Sequence, residues 1–319
     1  MADIVTFGET MLRLSPPTGE RLERARSLAV HPGGAESNVA TAMSHLGNDA
    51  TWVSKLPNSP LGRRISTELQ SHGVNPSVIW DDTATARVGT YYVEFGADPR
   101  ETSVYYDRTN ASITTATATE IPDSVVTESK IFYTSGITPA LSSTVAHTTE
   151  QLLTTAYANN TTTAFDLNYR SKLWDPQTAG EMYHSLLPVI DILVAAERDV
   201  RSCLGYEGDP RVLIDSLTSN YDFETIVLTR GTDGSIGYES DTIIEQPVFE
   251  AETVDPIGSG DAFVGGLLSQ KLEDESLKNC LEHGAAMASL KRTLEGDAAT
   301  VTPAEVDAVR ASQSGGISR

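Results

Sequence analysis

Val254-Asp255-Pro256-Ile257-Gly258-Ser259-Gly260-Asp261-Ala262-Phe263 runs directly into Val264-Gly265-Gly266-Leu267-Leu268, a small and apolar stretch that predicts a helix over about 259–273. Gly258 and Gly260 free the backbone to turn so that successive N–H groups face one cavity, and the helix start adds the positive end of its dipole. Such a turn is an anion hole. A carboxylate inside it, at Asp261, is electrostatically misplaced unless it works beside a bound phosphate, and accepting a proton from a hydroxyl is work of that kind. A helix cap with glycine-rich packing accounts for Gly-x-Gly-Asp in isolation equally well. The candidate catalytic set is therefore Gly258, Ser259, Gly260 and Asp261.

Upstream, strands and helices alternate. Residues 4–7 read as a buried strand ended by Gly8 and Glu9, and Gly33-Gly34 opens a helix whose apolar positions Val39, Met43 and Leu46 stop at Gly47. A strand at 51–54, a helix carrying Leu61, Ile65 and Leu69, and a strand at 78–80 follow. Between 87 and 108 the pattern changes to two β-rich runs, 88–95 and 102–106, around a turn with Gly96 and Pro99, which predicts a hairpin. Strands are expected again at 131–134, 163–167, 192–195 and 226–229, with helices at about 259–273, 276–293 and 303–312 and a frayed tail from Ser312. This alternation predicts an α/β, doubly wound, mostly parallel sheet with helices on both faces. The early excursion and the hairpin do not fit that sheet, so they are expected to form a small β-sheet lid from about residues 12–32 and 86–110, within a single domain spanning 1–319.

At 319 residues with 39% hydrophobic content, the chain is long enough to bury a large core. Its net charge of −21, from 44 acidic and 23 basic residues, is expected to repel nucleic acid and anionic membranes. Regular apolar periodicity excludes disorder, so the excess carboxylates coat a folded core. Few lysines, many threonines and high acidity are the composition of a protein from a salt-loving organism, where a Debye length of about 3 Å at molar salt screens self-repulsion. Cys203 and Cys280 lie outside any metal or redox spacing and read as buried thiols. No histidine pair has zinc-site spacing. The longest apolar runs, such as 192–196, fall short of the roughly 18 residues a membrane span needs, and the expected location is cytoplasmic.

Residues 255–263, Asp-Pro-Ile-Gly-Ser-Gly-Asp-Ala-Phe, resemble the second signature of the ribokinase-like carbohydrate kinases, usually Asp-Thr-x-Gly-Ala-Gly-Asp-x-Phe. Gly33-Gly34-Ala35-Glu36-Ser37-Asn38-Val39-Ala40 resembles the first, about 220 residues upstream and in the correct order. The resemblance covers nearly the whole chain and implies the ribokinase-like fold, ATP and Mg2+ as cofactors, and Asp261 as the base that deprotonates a sugar hydroxyl. It places Gly33 and Gly34 against the sugar and gives Asn38 a hydrogen bond to it, or else a packing role. Leu228-Thr229-Arg230-Gly231-Thr232-Asp233-Gly234 resembles the nucleotide loop, which assigns Thr229, Gly231, Thr232 and Gly234, with Asn168, Gly258 and Gly260, to the nucleotide; a plain hairpin turn explains the same glycines. Neither a Walker-type nor a Rossmann glycine pattern is present.

Gly8-Glu9, the tyrosine-rich hairpin and Asp166-Leu167-Asn168-Tyr169-Arg170 most resemble the 2-keto-3-deoxygluconate kinases of halophilic archaea. That implies phosphorylation of the sugar acid to its 6-phosphate. Arg170, just after the strand that delivers Asp166 and Asn168, is placed to clamp the carboxylate through two parallel hydrogen bonds, or else pairs with a surface acid or an ATP phosphate. Tyr91, Tyr105 and Arg108 are expected to border the rest, although alternation along a strand turns either tyrosine toward the core equally well. A kinase for fructose, ribose or a nucleoside, or a non-catalytic sugar-binding regulator, remains an alternative. Three positions depart from the family. Ala196-Glu197-Arg198-Asp199 replaces Asn-x-x-Glu, so Asp199 either organises Mg2+ through water or caps a surface helix. Asp107 intervenes between the Tyr105-Tyr106 pair and Arg108, and Pro256 stands where a threonine beside a monovalent-cation loop is common. Lid edges in the family often pair between subunits, which implies a homo-oligomer.

Overall fold

The strand expected at 4–7 is the centre of β1 (Ala2–Phe7) in a computed structural model that describes residues 1–314. The chain continues through β2 (Met11–Ser15), β3 (Ala29–Gly33), α1 (Ala35–His45), β4 (Ala50–Pro57), α2 (Pro60–Ser71) and β5 (Asn75–Asp81). Then come β6 (Thr90–Glu94), β7 (Ser103–Asp107), α3 (Asp123–Thr127), β8 (Ser129–Ser135), α4 (Ser143–Ala158), β9 (Thr162–Asp166) and α5 (Pro176–Leu186). The last third holds β10 (Ile192–Ala196), α6 (Glu197–Leu204), α7 (Pro210–Asn220), β11 (Thr225–Thr229), β12 (Ser235–Glu239), β13 (Thr242–Gln246), α8 (Ser259–Lys271), α9 (Leu277–Arg292) and α10 (Pro303–Ser314). Helix α10 passes the expected end at 312; the rest of the expected tail, 315–319, lies outside the described residues.

Among the described residues the large sheet has nine strands in the order β13-β12-β11-β10-β9-β8-β1-β4-β5, parallel from β11 to β5. The apolar strands are buried on both faces, as parallel strands covered by helices must be. One core, around Trp52, Met43, Leu267 and Met287, lies on one face, and a second, around Phe132, Phe165, Leu193 and Leu213, lies on the other. The fold is α/β, ribokinase-like and doubly wound. The β12–β13 hairpin is an antiparallel edge that periodicity did not reveal. The strand order reverses between β1 and β8, and ligands of such sheets bind beyond the carboxyl ends of the strands at that switch point.

The excursion and the hairpin pair into a separate four-stranded sheet, β3-β2-β6-β7. Its strands cover only part of the ranges 12–32 and 86–110: residues 16–28 between β2 and β3 form no strand. No helix among the described residues is long and apolar enough to cross a membrane.

Candidate active site

Gly258 caps the N-terminus of α8 with φ +81°, a left-handed conformation, and a Cβ there would lie 2.0 Å from the Asp297 carbonyl oxygen. Packing within the chain therefore explains this glycine. Gly260 differs, because a Cβ on it would meet nothing within 4 Å; its bare backbone faces open space. In the first turn, Ser259 N–H donates to Pro256 O at 3.3 Å and Ala262 N–H to Gly258 O at 2.9 Å. The amides of Gly260 and Asp261 have no acceptor among the described residues, so two donors stand at the positive end of a thirteen-residue helix, an arrangement that suits an anion.

Asp261 is buried beside them. Asn38 Nδ2, from α1, donates to its Oδ2 at 2.7 Å, which leaves Oδ1 to accept another proton. Burial pushes the Asp261 carboxyl up to about 6, while the Asn38 hydrogen bond and the Arg170 charge restrain the rise. A carboxylate poised near neutrality is tuned for general-base work.

A buried ionic cluster ties the small sheet to this turn. Arg13, on β2, reaches Asp255 Oδ2 at 2.7 Å and Asp297 Oδ1 at 2.8 Å, with every side chain involved almost fully buried. Tyr91 Oη, from β6, donates to the other Asp297 oxygen, and Phe95 lies 5.1 Å from the Arg13 guanidinium carbon. Asp255 in turn accepts from the amides of Ile257 at 3.0 Å and Gly296 at 3.1 Å, which fixes the entry to the anion hole. Lys291, fully buried, donates to the carbonyls of Asp255 and Leu294. Sequence reading missed Arg13, Lys291 and Asp297; the only signal for Arg13 was a cation inside an otherwise apolar strand.

Gly33 and Gly34 are glycines for reasons of close approach. A Cβ on Gly33 would lie 2.2 Å from Tyr91 Oη, and one on Gly34 would lie 2.0 Å from the Glu9 carbonyl. Next to them Glu36, also missed, is buried at the switch point, accepting from Ser135 N, Ser135 Oγ and Thr138 Oγ1. Burial pushes its carboxyl up to about 7.

Tyr91 and Tyr105, both expected to border the substrate, are separated by register. Tyr91 is paired with Tyr106, and Tyr92 with Tyr105, so Tyr91 and Tyr105 occupy opposite faces of the small sheet. Tyr105 is 58% exposed. Tyr106 stacks on Tyr91 with centroids 5.8 Å apart, and the Arg108 guanidinium and Lys172 ammonium sit over its ring at 5.7 and 5.6 Å. Arg108 forms a short ion pair with buried Glu9, and Arg108 Nε and Glu9 Oε1 are buried without a partner.

On the other side of the α8 turn lies a cavity of about 810 Å³. Thr229, Gly231, Thr232 and Gly234, from the β11–β12 connection, line it together with Ser259 and Gly260, so it runs up to the turn that carries Asp261. The connection is a hairpin turn as well, with Gly231 and Gly234 at positive φ. Asn168 and Gly258, expected on the nucleotide, are not among the lining residues: Gly258 is packed against Asp297, and Asn168 sits with φ +36° in the loop after β9.

That loop gathers charge. Asp166 Oδ1 accepts from Asn168 N at 3.1 Å, and burial, reinforced by the Asp261 and Asp199 charges, pushes its carboxyl up to about 8. Asp199 is buried in the first turn of α6 and accepts from Tyr169 N at 3.3 Å, so it is not a surface cap. Burial raises Asp199 too, and Arg170 lowers all three carboxyls, which places its charge within reach of Asp166, Asp199 and Asp261. No three metal-ligating side chains converge among the described residues. Mutually repelling carboxylates suit a divalent cation that keeps its waters and arrives on phosphates, and Asp166 and Asp199 are the groups whose charge it would relieve.

The pfkB family carbohydrate kinase model matches residues 1–304. The 2-dehydro-3-deoxygalactonokinase of Haloferax volcanii is 56% identical over 100% of this chain and 99% of its own. The crystal structure of 2-dehydro-3-deoxygluconokinase from Thermotoga maritima is 32% identical, with a TM-score of 0.91 over 97% of this chain and 98% of that one. An E. coli chain solved with ATP and Mg2+ shares the fold, with a TM-score of 0.87 over 97% of this chain and 99% of its own at 19% identity. A glycine-framed anion hole, a buried carboxylate and a cavity at the carboxyl end of a doubly wound sheet thus occur in a chain that belongs to the PfkB family of carbohydrate kinases.

Proposed function

We propose that this kinase transfers the γ-phosphoryl group of ATP to the 6-hydroxyl of a 2-keto-3-deoxy sugar acid. The observation that carries the reading is the placement of Asp261: a buried carboxylate with one free oxygen, beside two unpartnered amides, at the end of a cavity large enough for a nucleotide. Phosphoryl transfer needs little covalent help from the protein; positioning and charge stabilisation do most of it. Asp261 Oδ1 accepts the hydroxyl proton while the Gly260 and Asp261 amides hold negative charge on the phosphoryl oxygens. Mg2+, held by Asp199 through water and by Asp166, would supply charge neutralisation on the phosphates.

The sugar acid lies against Asn38 and Asp261 and is bordered by Tyr106 and Arg108, with Arg170 clamping its carboxylate; Gly33 is packed directly on Tyr91, and Gly34 on the Glu9 carbonyl. The small sheet acts as a lid that keeps water, the competing acceptor, away. The name of the relative at 56% identity points to the galactonate-derived acid and that of the solved structure at 32% to the gluconate-derived one, so both acids are candidate substrates. The two differ at one hydroxyl. Two copies pair through the edges of the lid in this reading, and a solution mass equal to one chain would count against it.

The test is coupled ADP release in molar KCl on both sugar acids, fructose and ribose. Both acids are expected to exceed the neutral sugars in kcat/KM by at least about tenfold, the scale of one charged hydrogen bond. A preference for fructose or ribose overturns the sugar-acid reading.

A further inference from the structure

Lys291, near the end of α9, is 0% exposed. Lysines are almost never fully buried unless paired, yet no carboxylate among the described residues lies within ion-pair distance of this one. Its Nζ donates instead to two backbone carbonyls, Asp255 O at 3.3 Å and Leu294 O at 3.1 Å. These carbonyls belong to the two loops that frame the anion hole. Asp255 opens the turn leading to Gly258, and Leu294 opens the turn carrying Gly296 and Asp297, whose carbonyl presses on Gly258. The ammonium is the point where the two loops are joined. It also completes a charge balance: Arg13 and Lys291 face Asp255 and Asp297, and without Lys291 the buried cluster would carry a net negative charge beside a site built for phosphate.

We propose that Lys291 is a positioning residue, a tethered cation that locks the 255–258 and 294–297 loops so that the Gly260 and Asp261 amides face the phosphoryl group. It touches neither substrate nor nucleotide. An ammonium held by carbonyl oxygens fills a niche that a free K+ or methylammonium ion would fill in its place, so the fixed charge makes the enzyme indifferent to which monovalent cation surrounds it.

The proposal rests on the phosphoryl-transfer reading, and its test compares wild type, Lys291→Ala and Lys291→Met at fixed ionic strength in choline, methylammonium or potassium chloride. Wild type is expected to keep the same kcat in all three. Lys291→Ala, with a cavity in place of the side chain, is expected to lose about 10²-fold in kcat in choline, the scale of a lost anion-hole donor. At least about a tenth of the wild-type kcat should return, saturably, with K+ or methylammonium. Lys291→Met, with the cavity filled, should stay impaired in every salt. Near-wild-type kcat of Lys291→Ala in choline, near-wild-type kcat of Lys291→Met in any of the salts, or an equal loss of Lys291→Ala in all three, overturns the proposal. Melting temperatures provide the second readout should Lys291→Ala unfold in choline: a rise specific to the small cations supports the tethered charge, and identical melts contradict it. An inactive wild type would count against the kinase reading alone, since the melts still report on Lys291.

Discussion

Asn38 Nδ2 and Asp261 Oδ2 meet at 2.7 Å across 223 residues of sequence, joining the two glycine segments through one hydrogen bond. The bond favours the ionised form of Asp261, whose carboxyl burial has pushed up to about 6. A general base works only when ionised, so wild-type kcat/KM is expected to fall as pH drops through about 6. Removing the donor in Asn38→Ala leaves burial unopposed and should move that acid limb upward by about one pH unit, the effect of one hydrogen bond to a charged group. The measurement is kcat/KM against pH for both proteins. An unmoved limb would show that Asn38 does not tune Asp261.

The parity of the small sheet gives a second expectation. Tyr106 shares a face with Tyr91, beside Arg108 and Lys172, and Tyr105 lies on the opposite face, the two being 42% and 58% exposed. Tyr106→Ala should therefore raise KM for the sugar acid by about tenfold or more, on the scale of a lost aromatic contact with its cation partners. Tyr105→Ala should leave KM within about twofold, a loss below about 0.5 kcal/mol. Steady-state kinetics on the two variants decide it, and the reverse order would refute the assignment of faces.

Glycines and alternation were legible in sequence because they report local needs. Gly258 demands a positive φ and Gly34 a close approach to the Glu9 carbonyl, and both needs show as residue type. Strands buried on both faces show as apolar runs, which located the parallel sheet. The Arg13–Asp297 pair did not show, because its partners stand 284 positions apart and neither has a local pattern. Which face Tyr105 takes is not legible, because alternation says that adjacent tyrosines point opposite ways without saying which one meets the site. The β12–β13 hairpin was missed because short strands carrying Glu239 and Glu245 at a sheet edge have little apolar signal. The Asn168 amide donates to Asp166, a contact within the loop after β9 that no local pattern announces.

Arg170 is exposed, yet its charge reaches Asp166, Asp199 and Asp261. A guanidinium so placed can take a carboxylate through two parallel hydrogen bonds, which neutral sugars cannot offer. Arg170→Ala is expected to lower kcat/KM for the sugar acid by about 10- to 150-fold, equivalent to roughly 1.5–3 kcal/mol, and to leave the low activity on fructose nearly unchanged. The ratio of the two kcat/KM values in wild type and variant is the test. An unchanged ratio would remove Arg170 from substrate recognition.

If the Asp261 carboxylate takes the hydroxyl proton, turnover must collapse in Asp261→Asn. Because burial raises this carboxyl in the folded state, the stability linked to its proton is present below the unfolded value near 3.8 and is lost as pH rises through about 6. At pH 8 the neutral amide should therefore melt no lower than wild type, which rules out unfolding as the cause of any loss. With ATP binding retained, kcat is predicted to fall by about 10²- to 10⁴-fold, the reach of general-base catalysis. A folded, ATP-binding Asp261→Asn protein with near-wild-type kcat would contradict the account.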